Sequence, residues 1–188
     1  MSWRSPLPDL DVPSVDFSSC VLERGRRLPH KTALIDVASD RRITFGELTG
    51  EIDRVASGLL GLGLQRGEVV AICGFNTPEY VLAAHAVWRA GGVVVTVNPL
   101  FTVREMQDEL ADAGARLLLA DAAVLDRARE AAHAAGIQHL HELGAESLRK
   151  LGRDQAPPTL DVDPNETALI FMPAFPRCLY CIAMGSSF

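Results

Sequence analysis

Val69-Val70-Ala71-Ile72-Cys73, then Asn76-Thr77-Pro78, then Val93-Val94-Val95-Thr96-Val97 form the stretch that decides the fold. Both pentapeptides are apolar almost throughout, which suits strands covered on both faces. Between them Asn76 or Thr77 can cap a helix that takes Pro78 in its first turn, where a missing N–H breaks no intrahelical bond. Val81, Ala84 and Trp88 give that helix an apolar stripe, and Gly91-Gly92 end it. Strand, helix and strand in this order make a βαβ unit with parallel strands.

The same grammar continues in both directions. Upstream, Phe17–Arg27 reads as a short helix that stops before Pro29. Ala33–Val37 and Arg41–Thr44 read as a hairpin around Ala38-Ser39-Asp40, at the edge of the fold. Thr44-Phe45-Gly46-Glu47 is a capping box. It opens a helix whose apolar face is Leu48, Ile52, Val55, Leu59 and Leu62, with Gly61 and Gly63 closing it. Downstream, Thr102-Val103-Arg104-Glu105 is a second capping box and Gly114 ends its helix before a strand at Arg116–Ala120. A helix at Ala122–Ala134 stops at Gly136, and a weak strand lies near Ile137–Leu140. Gln155–Pro164 reads as a surface linker into a last buried strand, Thr167–Met172. Strands alternating with helices imply an α/β fold of three layers, a mostly parallel sheet with flanking helices.

Composition narrows the functions. A chain of 188 residues can bury about 70% of its unfolded surface without disulfide staples. A net charge of −6 argues against nucleic acid and anionic membrane surfaces as partners. Arg24, Arg26 and Arg27 read as a solvated helix end. Nothing approaches the ~18 apolar residues of a membrane span, and the start lacks a signal-peptide core, so a cytoplasmic protein is expected.

Several candidate sites have plainer explanations. Gly58, Gly61, Gly63 and Gly67 suggest a dinucleotide loop, but they fall at the end of a helix and read as helix-terminating glycines. Cys178-Leu179-Tyr180-Cys181 is a C-x-x-C; as a redox pair it would want a helix N-terminus, and as a zinc half-site two more ligands. Cys20 and Cys73 lie in unrelated elements, and Cys73 reads as an inert core residue. His139 and His141 share one face of a strand without an acidic or cysteine companion, and His85 falls within the Val81–Trp88 helix as a packed or surface residue. No nucleophile elbow is present.

Three stretches go beyond a generic α/β pattern: Arg41–Leu48, Gly67–Ile72 with Asn76–Tyr80, and Trp88–Glu105. Together with Leu28–Ile35 and Ala113–Arg116, they resemble the N-terminal subdomain of the adenylate-forming acyl-CoA synthetases, in the branch of 4-coumarate–CoA and fatty-acyl–CoA ligases. The resemblance implies residues 1–14 as an irregular lead-in, 15–172 as a partial AMP-binding domain and 173–188 as an atypical tail. It also implies the family reaction, in which a carboxylic acid and ATP give an acyl-adenylate and then an acyl-CoA. ATP, magnesium and coenzyme A would serve the complete enzyme. In the family a Ser/Thr/Gly-rich phosphate loop follows the strand at the position of Thr167–Met172. Pro173–Phe188 has no such loop, and its sole charged residue is Arg177.

No catalytic, cofactor-binding or metal residue is therefore assigned, and no cofactor is expected for this chain alone. Tyr80 and Asn98-Pro99 match family positions as a helix packing residue and a strand-ending turn. The leading expectation is the N-terminal fragment of a ligase-like enzyme, cut by a frameshift or deletion near residue 173 and incompetent by itself. One alternative is a non-catalytic module that self-associates or pairs with a ligase chain through exposed apolar surface. Another is a small redox or nucleotide-binding protein that uses Cys178 and Cys181.

Overall fold

A computed structural model describes residues 17–157, 166–171 and 180–183. The lead-in, most of the linker and most of the tail lie outside these residues. Helix α1 (Phe17–Arg27) precedes the antiparallel hairpin of β1 (Thr32–Asp36) and β2 (Arg41–Thr44). Then follow α2 (Phe45–Gly61), β3 (Val69–Cys73), α3 (Pro78–Arg89), β4 (Val93–Val97), α4 (Val103–Asp112) and β5 (Ala115–Ala120). After a short 3-10 turn at Ala122–Val124 come α5 (Leu125–Ala134), β6 (His139–Glu142), α6 (Ala145–Leu151), β7 (Thr167–Phe171) and β8 (Tyr180–Ala183). The main sheet has the order β6-β5-β3-β4-β7-β8; its first five strands are parallel and β8 is antiparallel to β7.

Alternation inside the apolar strands divides the core in two. Val70 and Ile72 of β3, with Leu117 and Leu119 of β5, join the cluster under α2 and α3. Ala71 and Cys73, with Leu118 and Ala120, point the other way and pack with Met106, Leu110, Ala128 and Ala131 of α4 and α5. Each buried aliphatic side chain contributes about 1.5–3 kcal/mol from its removal from water. The helix starts follow the caps. Thr44 and Thr102 accept from the amides of Glu47 and Glu105, whose carboxylates return to the threonine amides at 2.8 Å in both boxes. Thr77, rather than Asn76, caps α3 with Pro78 in its first turn.

Four local expectations change. The helix at 122–134 divides into the 3-10 turn and α5, because Asp121 caps the first element through Ala123 at 2.9 Å. Strand β6 sits two residues later than Ile137–Leu140, since Leu117 pairs with His139 and Ala120 with Glu142. The inward surface of α3 is Leu82, Ala83, Ala86 and Val87 as well as Ala84, whereas Val81 and Trp88 are only partly buried; the helix lies among α1, α2, the sheet and α6. Gly58 does not terminate α2. It is buried within the helix, and a Cβ there would overlap the Leu151 carbonyl, so it admits the end of α6 at close quarters. Gly63, at φ +85°, does make the turn after the helix. Helix α6 and strand β8 add to what the sequence patterns announced.

Candidate functional site at the carboxyl edge of the sheet

Strand β3 feeds α3 on one face of the sheet, and β4 feeds α4 on the other. The strand order therefore reverses between β3 and β4. In open parallel sheets the crevice beyond the carboxyl ends at such a point is where ligands bind. Gly74, Phe75, Asn76 and Thr77 form one wall here, and Asn98 to Thr102 form the other. The chain leaves β7, beside β4, at the same edge.

Local hydrogen bonds set the shape of this rim. Asn98 Oδ1 accepts from the Leu100 amide at 2.9 Å, and the Phe101 amide donates to the Asn98 carbonyl at 3.1 Å. Arg127, reaching across from α5, donates to the Pro99 and Phe101 carbonyls at 3.0 and 2.7 Å. That arginine escaped the sequence reading because its partners are backbone carbonyls 26 and 28 residues away, which leave no motif. The Asp121 amide donates to the Cys73 carbonyl at 2.8 Å, while its carboxylate caps the 3-10 turn. Phe75 is 45% exposed and Leu100 74% exposed, so each wall shows one large apolar side chain to solvent.

Under the rim, burial raises three titratable groups, Cys73, Tyr80 and Glu109. Burial pushes the Cys73 thiol up to about 12, and Tyr80 up to about 12 in the same way, with smaller contributions from the charge of Glu109 in both. Cys73 is the inert core residue expected. The Glu109 carboxyl is raised to about 7 by burial. Asn98-Pro99 and Tyr80 occupy the scaffold positions read from the sequence. Thr77 and Thr102 spend their hydroxyls on helix caps. Among the described residues no three His, Cys, Asp or Glu gather to hold a metal ion.

The remaining candidates stand apart from the crevice. His85 accepts or donates at Nδ1 with Ser18 Oγ at 2.9 Å and meets Trp88 edge-on at 5.1 Å between ring centres, which makes it a packed residue between α1 and α3. His139 and His141 lie on β6, and the His141 imidazole is lowered by burial and then by the charge of His139. Cys181 lies on β8 in register with Ile170, and Cys178 lies outside the described residues. Two further grooves border the rim's α3 side. One of about 490 Å³ is lined by Leu34, Ile35, Val37, Thr77 and Tyr80, and one of about 220 Å³ holds the Arg41–Glu79 ion pair.

The sequence profile of the AMP-binding enzyme family matches residues 21–172. The chain belongs to that family. It is 32% identical over 126 residues to 4-coumarate–CoA ligase 3 of Arabidopsis thaliana, a match covering 66% of this chain and 22% of that protein. It is 35% identical over 106 residues to the human mitochondrial medium-chain acyl-CoA ligase, covering 56% and 17%. The chain thus spans about a fifth of the length of these curated relatives. Among solved structures, the N-terminal subdomain of Klebsiella oxytoca NpsA superposes with a TM-score of 0.74 at 26% identity, over 90% of this chain and 42% of that one. A long-chain-fatty-acid–CoA ligase of Archaeoglobus fulgidus gives a TM-score of 0.81 at 23% identity, over 90% and 36%, which speaks to the fold alone. The adenylate-forming ligase fold expected from the sequence is the fold observed. No helix among the described residues is long and apolar enough to cross a membrane.

Proposed function

We propose that this AMP-binding family chain supplies the N-terminal scaffold for an acid–thiol ligase reaction, in which a carboxylic acid is adenylated by ATP and passed to coenzyme A. The family match over residues 21–172 carries this reading. A hydrophobic carboxylic acid is the substrate class, since the relatives' names specify 4-coumarate and medium-chain acyl groups. The described residues organise the crevice and leave the chemistry to groups beyond them. ATP, magnesium and coenzyme A belong to the complete reaction, with no step assigned to a residue here. Free Cys20 and Cys73 fit a reducing cytoplasm.

ATP–pyrophosphate exchange with a panel of aromatic and aliphatic carboxylic acids tests the assignment. The chain alone is expected to give background exchange; exchange above background with any acid would overturn the scaffold reading. A second reading, pairing with itself or with a ligase chain, is favoured by the exposure of Val37 (92%) and Leu100 (74%) beside Ile35 and Phe75. Light scattering on a size-exclusion column, alone and mixed with a complete ligase, distinguishes it. A monomer in both runs would count against pairing.

A further inference from the structure

Four polar residues are buried among the described ones: Ser18, Ser57, His85 and Glu109. Ser18 and His85 bond to each other. Glu109 Oε2 is the single buried side-chain nitrogen or oxygen among the described residues that lacks a hydrogen-bond partner. The residue is 6% exposed and follows Met106 on the inward stripe of α4, next to Leu110. Both neighbours pack into the cluster that holds Cys73, Val95 and Leu118.

None of the charged and titratable groups around it, among the described residues, forms an ion pair or hydrogen bond with Oε2. From β3 comes the Cys73 thiol and from α3 the Tyr80 hydroxyl, both neutral. From α5 comes Arg127, whose guanidinium holds the Pro99 and Phe101 carbonyls, and beyond β5 comes Asp121, an acid. On α4 itself Arg104 pairs with Asp108 at the surface, and Glu105 caps the helix. An ionised carboxylate here would keep Oε2 buried without a partner, and burying charge without a partner is strongly unfavourable.

We infer that Glu109 is a proton-dependent latch: α4 seats on the sheet with its carboxyl protonated, and deprotonation loosens α4 together with the β4–α4 turn that forms one wall of the crevice. The sign follows from burial, which raises the acid to about 7 in the folded protein. Stability from this group is complete below the ordinary glutamate value, near 4.3, and is lost as pH rises through about 7.

The test follows the Glu109 side-chain carbonyl by carbon-13 NMR from pH 4 to 9, assigned by its absence in Glu109→Gln. Hydrogen exchange of the α4 amides, corrected for intrinsic rates, is measured at both ends. A carboxyl titrating near 7 and α4 protection at least about tenfold lower at the alkaline end support the latch. Glu109→Gln and Glu109→Leu should both remove that pH dependence. A carboxyl that titrates like an exposed glutamate, or equal pH dependence in wild type and variants, would overturn it. The wild-type titration decides the matter if neither variant folds.

Discussion

On one face of the sheet α2 and α3 lie over Val70, Ile72, Leu117 and Leu119, with α1, α6 and the hairpin stacked around them. On the other, α4 and α5 form a single covering layer over Ala71, Cys73, Leu118 and Ala120. On the deep face buried Ser18 meets buried His85, and the part-buried Arg89 meets Asp53 at 3.0 Å. The shallow face approaches the sheet through the alanines 128, 131 and 132 of α5 and carries the orphan oxygen of Glu109. Depth thus goes with satisfied polarity. The thin layer is the one that also shapes a crevice wall, through Thr102 at the start of α4 and Arg127 on α5.

Substitutions ordered by expected effect can break this contrast. Gly58→Val on the deep face should be the most damaging, since even a Cβ overlaps the Leu151 carbonyl; loss of the cooperative transition in a urea melt is expected. Ile52→Ala, at a fully buried site, should cost about 2–5 kcal/mol in the same melt. Ser18→Ala removes the hydroxyl that bonds Nδ1 of the buried His85 and should cost about 1–3 kcal/mol, with Ser18→Thr milder if the hydroxyl is what matters. On the shallow face Thr102→Ala should cost about 1 kcal/mol and raise exchange at the first turn of α4. If Ile52→Ala proves no more costly than Thr102→Ala, the distinction between the faces fails.

The order of the elements could be read because their signals are local. Three threonine caps, the glycines after the helices and the unbroken valine runs each act within a few residues. The carboxyl-edge crevice was half legible: Asn98-Pro99 marks the end of a strand, but which strand lies beside it depends on pairing across the sheet. The role of Gly58 was hidden because its reason is a carbonyl 93 residues away. Glu109 was hidden for a different cause. A glutamate inside a stripe with Met106 and Leu110 looks, in one dimension, like an ordinary polar interruption of an amphipathic helix. Strand β8 leaves little periodicity in its four residues, so only its register with β7 reveals it.

The Trp88 indole N–H donates to the Ala168 carbonyl of β7 at 2.8 Å, and its ring abuts His85. The chain has two tryptophans, and Trp88 is the one among the described residues. This arrangement gives the molecule an optical gauge. In a Trp3→Phe background, the emission maximum of Trp88 would report whether the strand at the far side of β4 is docked. A red shift ahead of global unfolding would reveal that β7 detaches first.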